Sequence, residues 1–498
     1  MRRILRGNLL NLTSAVGLIV AIASFVIIVL LTLIEFLGHQ SHPYMGIVTF
    51  ILLPGFLNFG LLLMIVGAWR ERRRVRKGDA SVIELPHLDL SKPAHRRAVI
   101  GLMAGGFMFL MVSAFGSYQA YEHTETVQFC GQMCHDVMKP EYTAYQNSPH
   151  ARVKCVECHI GPGTTWYVKS KLSGAYQVYS TAFHKYEQPI RTPVENLRPA
   201  KETCEVCHWP KQFYKEMLQS KTWFMTDDLN TKKQMRMVMK IGGGTPELGV
   251  SEGIHYSMYL AHQISYVATD RLRSEIPYIE SKAQDGTVTV YRSTEKPITQ
   301  VQVAKLEKHT VDCIECHNRP SHVYHHPSQA LDQALGSGLI DASLPEIKRV
   351  SIETLEKPYK DDKAAEDGIQ QSLVDFYHKS HADVEKTKKP QIDAAVEQVK
   401  KIYARNYFPY MKVSWKAYPE HLGHMYSAGC FRCHDGKHVS DKGKVLTNDC
   451  NSCHTIVSQD GPNGKREESL SGLTFRHPIE IGDAWKTMKC SECHAEQK

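Results

Sequence analysis

Fourteen cysteines fall into seven pairs, and a histidine follows every pair. Six pairs read C-x-x-C-H: Cys155/Cys158/His159, Cys204/Cys207/His208, Cys313/Cys316/His317, Cys430/Cys433/His434, Cys450/Cys453/His454 and Cys490/Cys493/His494. The seventh has one more spacer residue, Cys130/Cys134/His135. Two thiols at this spacing form thioethers with a porphyrin, and the adjacent imidazole ligates its iron. Composition alone gives C-x-x-C-H roughly 0.02 times in a chain of this length, so six copies are not accidental. Zinc needs a second pair of ligands to close a tetrahedron and does not require a histidine after each pair. Seven covalently bound haem c groups are the expectation.

An iron held by one imidazole takes a second axial ligand. Histidines near the motifs or in short Gly/Pro-flanked loops are the candidates: His150, His309, His322, His424, His438, His477 and, further from any motif, His255. His325, His326, His378, His381 and His184 read as surface residues. Met138 follows the first motif closely, and a thioether is an alternative ligand that raises potential. Arg198 and Arg319 are candidate partners for haem propionates.

These groups need a frame. The first 117 residues are strongly apolar, and three stretches are long enough to cross a bilayer: about 12–36, 44–69 and 98–117. Arg2, Arg3 and Arg6 precede the first, and nine Lys or Arg residues lie between the second and third, from Arg70 to Arg97. The loop between the first and second has none. Basic segments stay inside, so the N-terminus is expected in the cytoplasm and everything beyond Ser117 outside it. Net charge is +8, and its concentration in the loop before Ala98 reads as topology and lipid contact, not nucleic-acid binding.

The expected fold class is mainly α with much irregular structure: three transmembrane helices, then a haem-packed multihaem cytochrome c module with one small β-hairpin region. Five regions follow: 1–117 membrane domain, 118–210 with three motifs, 211–330 with a hairpin around Asp285-Gly286 and the fourth motif, 331–412 a helical insert, and 413–498 with three motifs. Helices are expected near 344–355, 364–379 and 391–407, with Lys357-Pro358 and Lys389-Pro390 as separators. Few strands and little side-chain core are expected, because porphyrins fill the interior.

From the third apolar stretch to Pro210 the chain resembles the NapC/NirT family of membrane-anchored quinol dehydrogenases. The resemblance rests on Phe129-Cys-Gly-Gln-Met-Cys-His-Asp-Val-Met138, Asn147-Ser-Pro-His150, Cys155-Val-Glu-Cys-His-Ile160 with Gly163, and Leu197 to Pro210 around the third motif. It covers about a fifth of the chain. It implies a protein of the bacterial inner membrane with its haem domain facing the periplasm. It implies menaquinol as substrate, drawn from the membrane quinone pool, and periplasmic multihaem c-type cytochromes as electron acceptors; a homo-oligomer stays open.

The family's quinol pocket uses a lysine downstream of the second motif and an acidic residue near the first haem. Lys169 and Lys171 both match the lysine; the acidic position falls at 175–177, which holds no carboxylate, and Tyr176 or Gln177 stands there. Glu122, His123 and Glu125, before the first motif, are alternative proton acceptors. The first motif also departs from the family's, being longer, with Met138 three residues after His135 instead of two. A rival reading is a multihaem terminal reductase of a small inorganic substrate, which would need an iron with an open axial position. A non-enzymatic anchor or haem-based sensor is a second rival, with no effector domain visible to support it.

Overall fold

The computed structural model describes residues 11–37, 53–77, 91–133, 135–161, 163–194, 197–213, 215–249, 251–461 and 464–495. They divide into two compact units, one of Met1–Thr126 with His159–Tyr176, the other of Val127–Cys158 with Gln177–Lys498.

The first unit is built from helices α1 (Leu12–Leu37), α2 (Leu53–Arg76) and α3 (Pro93–Thr124). Within α1 and α2, Leu12–Leu31 and Leu53–Arg74 are long and apolar enough to cross a membrane, with mean hydropathies of 2.9 and 1.4. Phe25, Leu30, Phe59 and Ile65 lie exposed on them, an arrangement that suits lipid better than water. The two helices meet through small residues: a Cβ added to Gly60 would sit 2.7 Å from both Ala21 N and Gly17 O. Lipid tails give no hydrophobic drive for helix pairing, so close backbone approach supplies the van der Waals contact instead. Ser14 adds a hydroxyl bond to Met64 O, 3.2 Å.

Helix α2 differs from the expected span. Residues 44–52 of that span lie outside the described residues, and α2 continues past Trp69 through the basic run, where the Arg73 guanidinium lies 3.7 Å over the Trp69 ring. Helix α3 is longer than the expected 98–117 and starts on Pro93, whose missing N–H costs nothing in a first turn.

The second unit corrects the expectation of one hairpin and few strands. The expected hairpin is there, β4 (Tyr278–Ala283) against β5 (Val288–Ser293), turning through Gly286 at φ +86°. It is part of a five-stranded antiparallel sheet of order β6-β3-β4-β5-β7, with β3 at His262–Val267, β6 at Lys308–Thr310 and β7 at His438–Ser440. A second sheet runs β1-β2-β8-β9, from Met217–Phe224, Lys232–Met239, His454–Asp460 and Arg466–Leu473. In both, strands near the middle of the chain pair with strands that directly follow C-terminal motifs; His454 itself opens β8 opposite Met239.

Between β6 and β7 in sequence lie α4 to α7: α4 (Pro327–Gly336), α5 (Ile347–Leu355), α6 (Asp362–Ser380) and α7 (Ala382–Asn406). Their apolar faces make a side-chain core that includes Leu331, Leu355, Ile369, Leu373, Tyr377 and Val399, each 0 % exposed. This overturns the expectation of little conventional core, since the helices bury enough apolar surface among themselves. As expected, two helices meet at Lys389-Pro390: the stretch α7 is broken at Lys388 (φ −125°, ψ 28°), beside a proline that cannot donate and crowds the preceding turn. The cluster is tied to β1 by a buried ion pair, Lys348 Nζ to Asp332 Oδ1 at 2.6 Å, with Phe224 N donating to the same oxygen at 2.8 Å.

Candidate functional site

Each fully described motif sits at a short helical segment. Cys155–His159, Cys313–Cys316 and Cys490–His494 are α-helical; Cys204–Val206, Gly429–Arg432 and Cys450–Ser452 are 3-10 turns. One turn brings residues i and i+3 onto the same side, so both sulfurs of a pair face one way and the histidine lies just beyond. Asp312 holds the Cys313 turn, its carboxylate accepting from Cys313 N at 2.6 Å. In the first motif, Cys134 lies outside the described residues; Cys130 belongs to the short helix Val127–Gln132, and His135 begins the helix His135–Gln146.

The attachment cysteines differ in exposure. Cys207 and Cys493, the second cysteines of the third and last motifs, are exposed, and so are Cys158, Cys430 and Cys450. The other described cysteines are partly buried. A single turn at the rim of the fold has few neighbours to cover its outer positions, and Val206 and Trp209 beside Cys207 are exposed too, at 67 % and 58 %. Exposed apolar side chains next to an exposed cysteine suit a surface that an apolar macrocycle covers.

Four motif histidines face a second imidazole. His208 meets His150 with ring centroids 6.1 Å apart, His317 meets His255 at 6.4 Å, His454 meets His424 at 6.3 Å and His494 meets His477 at 6.0 Å. A metal–nitrogen bond is about 2 Å, so two imidazoles flanking one iron stand at about this spacing. The side chains therefore fit the group that the motif implies. In three distal rings Nδ1 is taken by a carbonyl: His150 with Pro320 O (3.2 Å), His255 with Ile241 O (2.9 Å) and His477 with Ile479 O (2.9 Å). Such bonds fix the tautomer and leave Nε2 as the nitrogen that would hold an iron.

The other expected ligands are placed differently. His438 is 2 % exposed, and both its nitrogens are engaged, Nδ1 with Asp435 Oδ1 at 2.8 Å and Nε2 with Ile276 O at 2.7 Å. That leaves no nitrogen for an iron, and the ring instead pins β7 to the segment before β4. His309 lies on β6 beside the Tyr266 ring, 5.4 Å between centroids. His322 stands with Nδ1 3.1 Å from the main-chain oxygen of Glu141, whose carboxylate also binds Arg319 through both oxygens. Met138 is half-buried in the helix after the first motif, and His159 ends its own short helix.

His421 escaped the sequence reading. It is 5 % exposed, its Nδ1 lies 3.3 Å from Glu315 O, and its Nε2 has no hydrogen-bond partner among the described residues. Burial, with Arg432 nearby, pushes its pKa down to about 4. The available signal was its place one turn before His424 in His421-Leu-Gly-His424. His326, read as a surface residue, is 3 % exposed. It lies against Tyr426 (4.1 Å) and Trp415 (4.4 Å), and its Nδ1 accepts from Ser328 N at the start of α4.

In the first unit, the helix Thr164–Ala182 carries both candidate lysines. Lys171 Nζ reaches Glu125 Oε1 at 2.8 Å; the glutamate is buried at the C-terminal cap of α3. Lys169 instead lies 4.7 Å over the Trp166 ring. Tyr176, Glu122 and His123 are exposed. The carboxylate missing from 175–177 is thus met by one from a different helix end, five residues before Cys130 in the chain.

Single-turn cysteine pairs, facing imidazoles and lipid-compatible helices define a membrane-anchored multihaem c-type cytochrome that carries electrons. The chain belongs to the NapC/NirT cytochrome c family: that family's N-terminal region matches residues 92–200. It is 44 % identical over 489 residues to the cytochrome c-type protein ImcH of Geobacter sulfurreducens, covering 98 % of this chain and 96 % of that one. It is 25 % identical to the cytochrome c-type protein TorC of Escherichia coli over 227 residues, 42 % of this chain and 53 % of that one. It is 32 % identical to the cytochrome c-type protein NrfH of Wolinella succinogenes over 78 residues, 15 % and 44 % of the two chains. No solved structure matches.

Proposed function

We propose that the protein oxidises menaquinol at the outer face of the bacterial inner membrane and passes the electrons through seven haem c groups to periplasmic multihaem cytochromes. The Lys171–Glu125 pair carries this reading. A quinol gives up two electrons and two protons. A half-buried lysine can hold the quinol oxygen by a hydrogen bond, and a carboxylate beside it can take the proton that leaves. The bound haems supply one-electron redox chemistry. The chain's own part is to hold each ring between imidazoles and to keep the proton acceptor within reach of the donor. His208, His317, His454 and His494 would hold four of the groups together with the facing His150, His255, His424 and His477. His135, His159 and His434 serve the remaining sites.

Four saturated imidazole pairs support a relay over a terminal reductase, which needs an open iron. Helix α3 is read as the third span; with the basic run inside, the motifs then lie in the periplasm. The test is stopped-flow reduction of the detergent-purified protein by a menaquinol analogue. Rapid reduction is expected; a protein that dithionite reduces and the analogue does not would overturn the reading.

A further inference from the structure

The first six motif loops are linked to one another in chain order. Tyr145, in the helix after the first motif, donates its hydroxyl to Ala151 O and Val153 O (2.8 and 2.9 Å), just before Cys155. His150, from the same approach to the second motif, faces His208 of the third. Ala200 N, before the third motif, donates to Asp312 Oδ2 at 2.8 Å, and the other oxygen of Asp312 caps the fourth. Arg432, inside the fifth motif, donates to Glu315 O, inside the fourth, at 2.8 Å. His434 Nδ1 lies 3.3 Å from Thr447 O, three residues before the sixth motif's first cysteine.

The fourth motif occupies a special place in this series. It stands alone in the chain, about a hundred residues beyond the third and about a hundred before the fifth. Its loop is bonded on one side to the third motif and on the other to the fifth. The second junction is made of buried charge. Arg432 is 8 % exposed and gives its guanidinium to three carbonyls, Gly429 O (3.0 Å), Arg273 O (2.8 Å) and Glu315 O (2.8 Å). Arg273 in turn binds the Glu315 carboxylate at 2.5 Å, and Tyr266 donates to its other oxygen. A guanidinium that spans several acceptors in a fixed fork tolerates little displacement.

We propose that the Cys313–His317 site is the single relay between the three attachment sites before it and the three after it, and that Arg273, Glu315 and Arg432 lock its junction with the Cys430–His434 site. The proposal rests on the electron entry argued above only for the direction of flow. Each transfer moves one electron from a reduced to an oxidised neighbour; no bond forms or breaks and no proton is required, the electrons coming from the quinol.

The test is to purify the full chain with Cys313→Ser and Cys316→Ser and to reduce it with the menaquinol analogue while following the haem α-band. The relay predicts that the analogue rapidly reduces half of the six remaining haems, while dithionite reduces all six. Rapid reduction of all six would overturn it. Arg432→Gln keeps all seven attachment motifs and covers a failure of the double variant to fold. It should slow reduction of the last three haems by about tenfold or more and leave the earlier phase unchanged, whereas wild-type phases throughout would overturn the lock. If the analogue reduces no haem even in wild type, the entry reading fails by itself. The relay is then decided by a cryo-EM map of the haem-loaded protein. There the fourth porphyrin must neighbour both groups, and direct edge contact between the first three and the last three would overturn it.

Discussion

Lys171 Nζ lies 2.8 Å from Glu125 Oε1, and the carboxylate, 8 % exposed, is the more buried of the two. A buried carboxylate at the end of a helix that leads into the first attachment motif is suited to take a proton and pass it on. Glu125→Gln keeps the shape and removes the base. It should cut the rate of reduction by a menaquinol analogue by about 10²-fold, the usual scale of a lost general base. Lys171→Met should fall similarly, and Lys169→Met, whose ammonium lies over Trp166, should remain near wild type. Dithionite reduction serves as the control and should not change. Equal rates in all three variants would remove the pair from the reaction.

The His255–His317 pair, its rings nearly parallel at 7°, yields a spectroscopic prediction. In His255→Met a thioether replaces one imidazole, which raises a haem's potential. A redox titration should show one centre moved upward, and the EPR intensity from the four imidazole pairs should drop by about one quarter. His438→Met should leave both unchanged at the irons and lower thermal stability, because its two ring bonds hold β7 in place.

His326 sets a pH dependence. Its folded pKa is pushed down to about 4 by burial, from an ordinary value near 6.5. The unfolded chain therefore binds the proton more readily. The stability this ring contributes is present above about pH 6.5 and is lost as pH falls toward 4, up to about 3 kcal/mol. Protonation of Nδ1 would also break the cap to Ser328 N. Melting temperature should drop between pH 7 and pH 4.5 in wild type and drop less in His326→Gln; parallel losses would refute the assignment.

Much of this site was legible in the sequence for a simple reason. Haem attachment is a local pattern, and so are apolar runs and the Asp285-Gly286 turn. What the sequence hid depends on distant partners. Strand β9, Arg-Glu-Glu-Ser-Leu-Ser-Gly-Leu, has no apolar alternation to announce it, and β2 finds β8 more than two hundred residues away. Glu125 reads as one of three polar residues after a helix until Lys171 meets it. Cys207 and Cys493 share a motif with Cys316, yet only the fold decides which of them stands at the rim. His326 and His438 look like other loop histidines, and only burial separates a cap and a pin from a ligand.

The helix pair α1/α2 depends on three glycines. A Cβ on Gly17 would lie 2.6 Å from Gly60 O, and one on Gly67 would run into Ser14 Oγ. Both clash with neighbours across the interface. Gly60→Leu should force the helices apart and lower the yield of folded protein extracted from membranes, while Leu62→Ala, on an exposed face, should not. Equal yields would mean that the helices do not pack through this seam.

Asp332 and Lys348 give the last prediction, and its direction follows from burial. Lys348 is 3 % exposed; its ammonium contacts Asp332 Oδ1 and Phe224 O. Asp332→Ala would strand a buried charge and also deprive Phe224 N of its acceptor. Breaking one side of such a pair costs about 3–5 kcal/mol, so the melting temperature should fall sharply. Combining Asp332→Leu with Lys348→Met removes both charges and fills the space with apolar atoms, which is often close to neutral. The double variant should therefore melt well above Asp332→Ala. If it melts as low or lower, the ion pair is holding β1 against α5 through its charge rather than merely filling the junction.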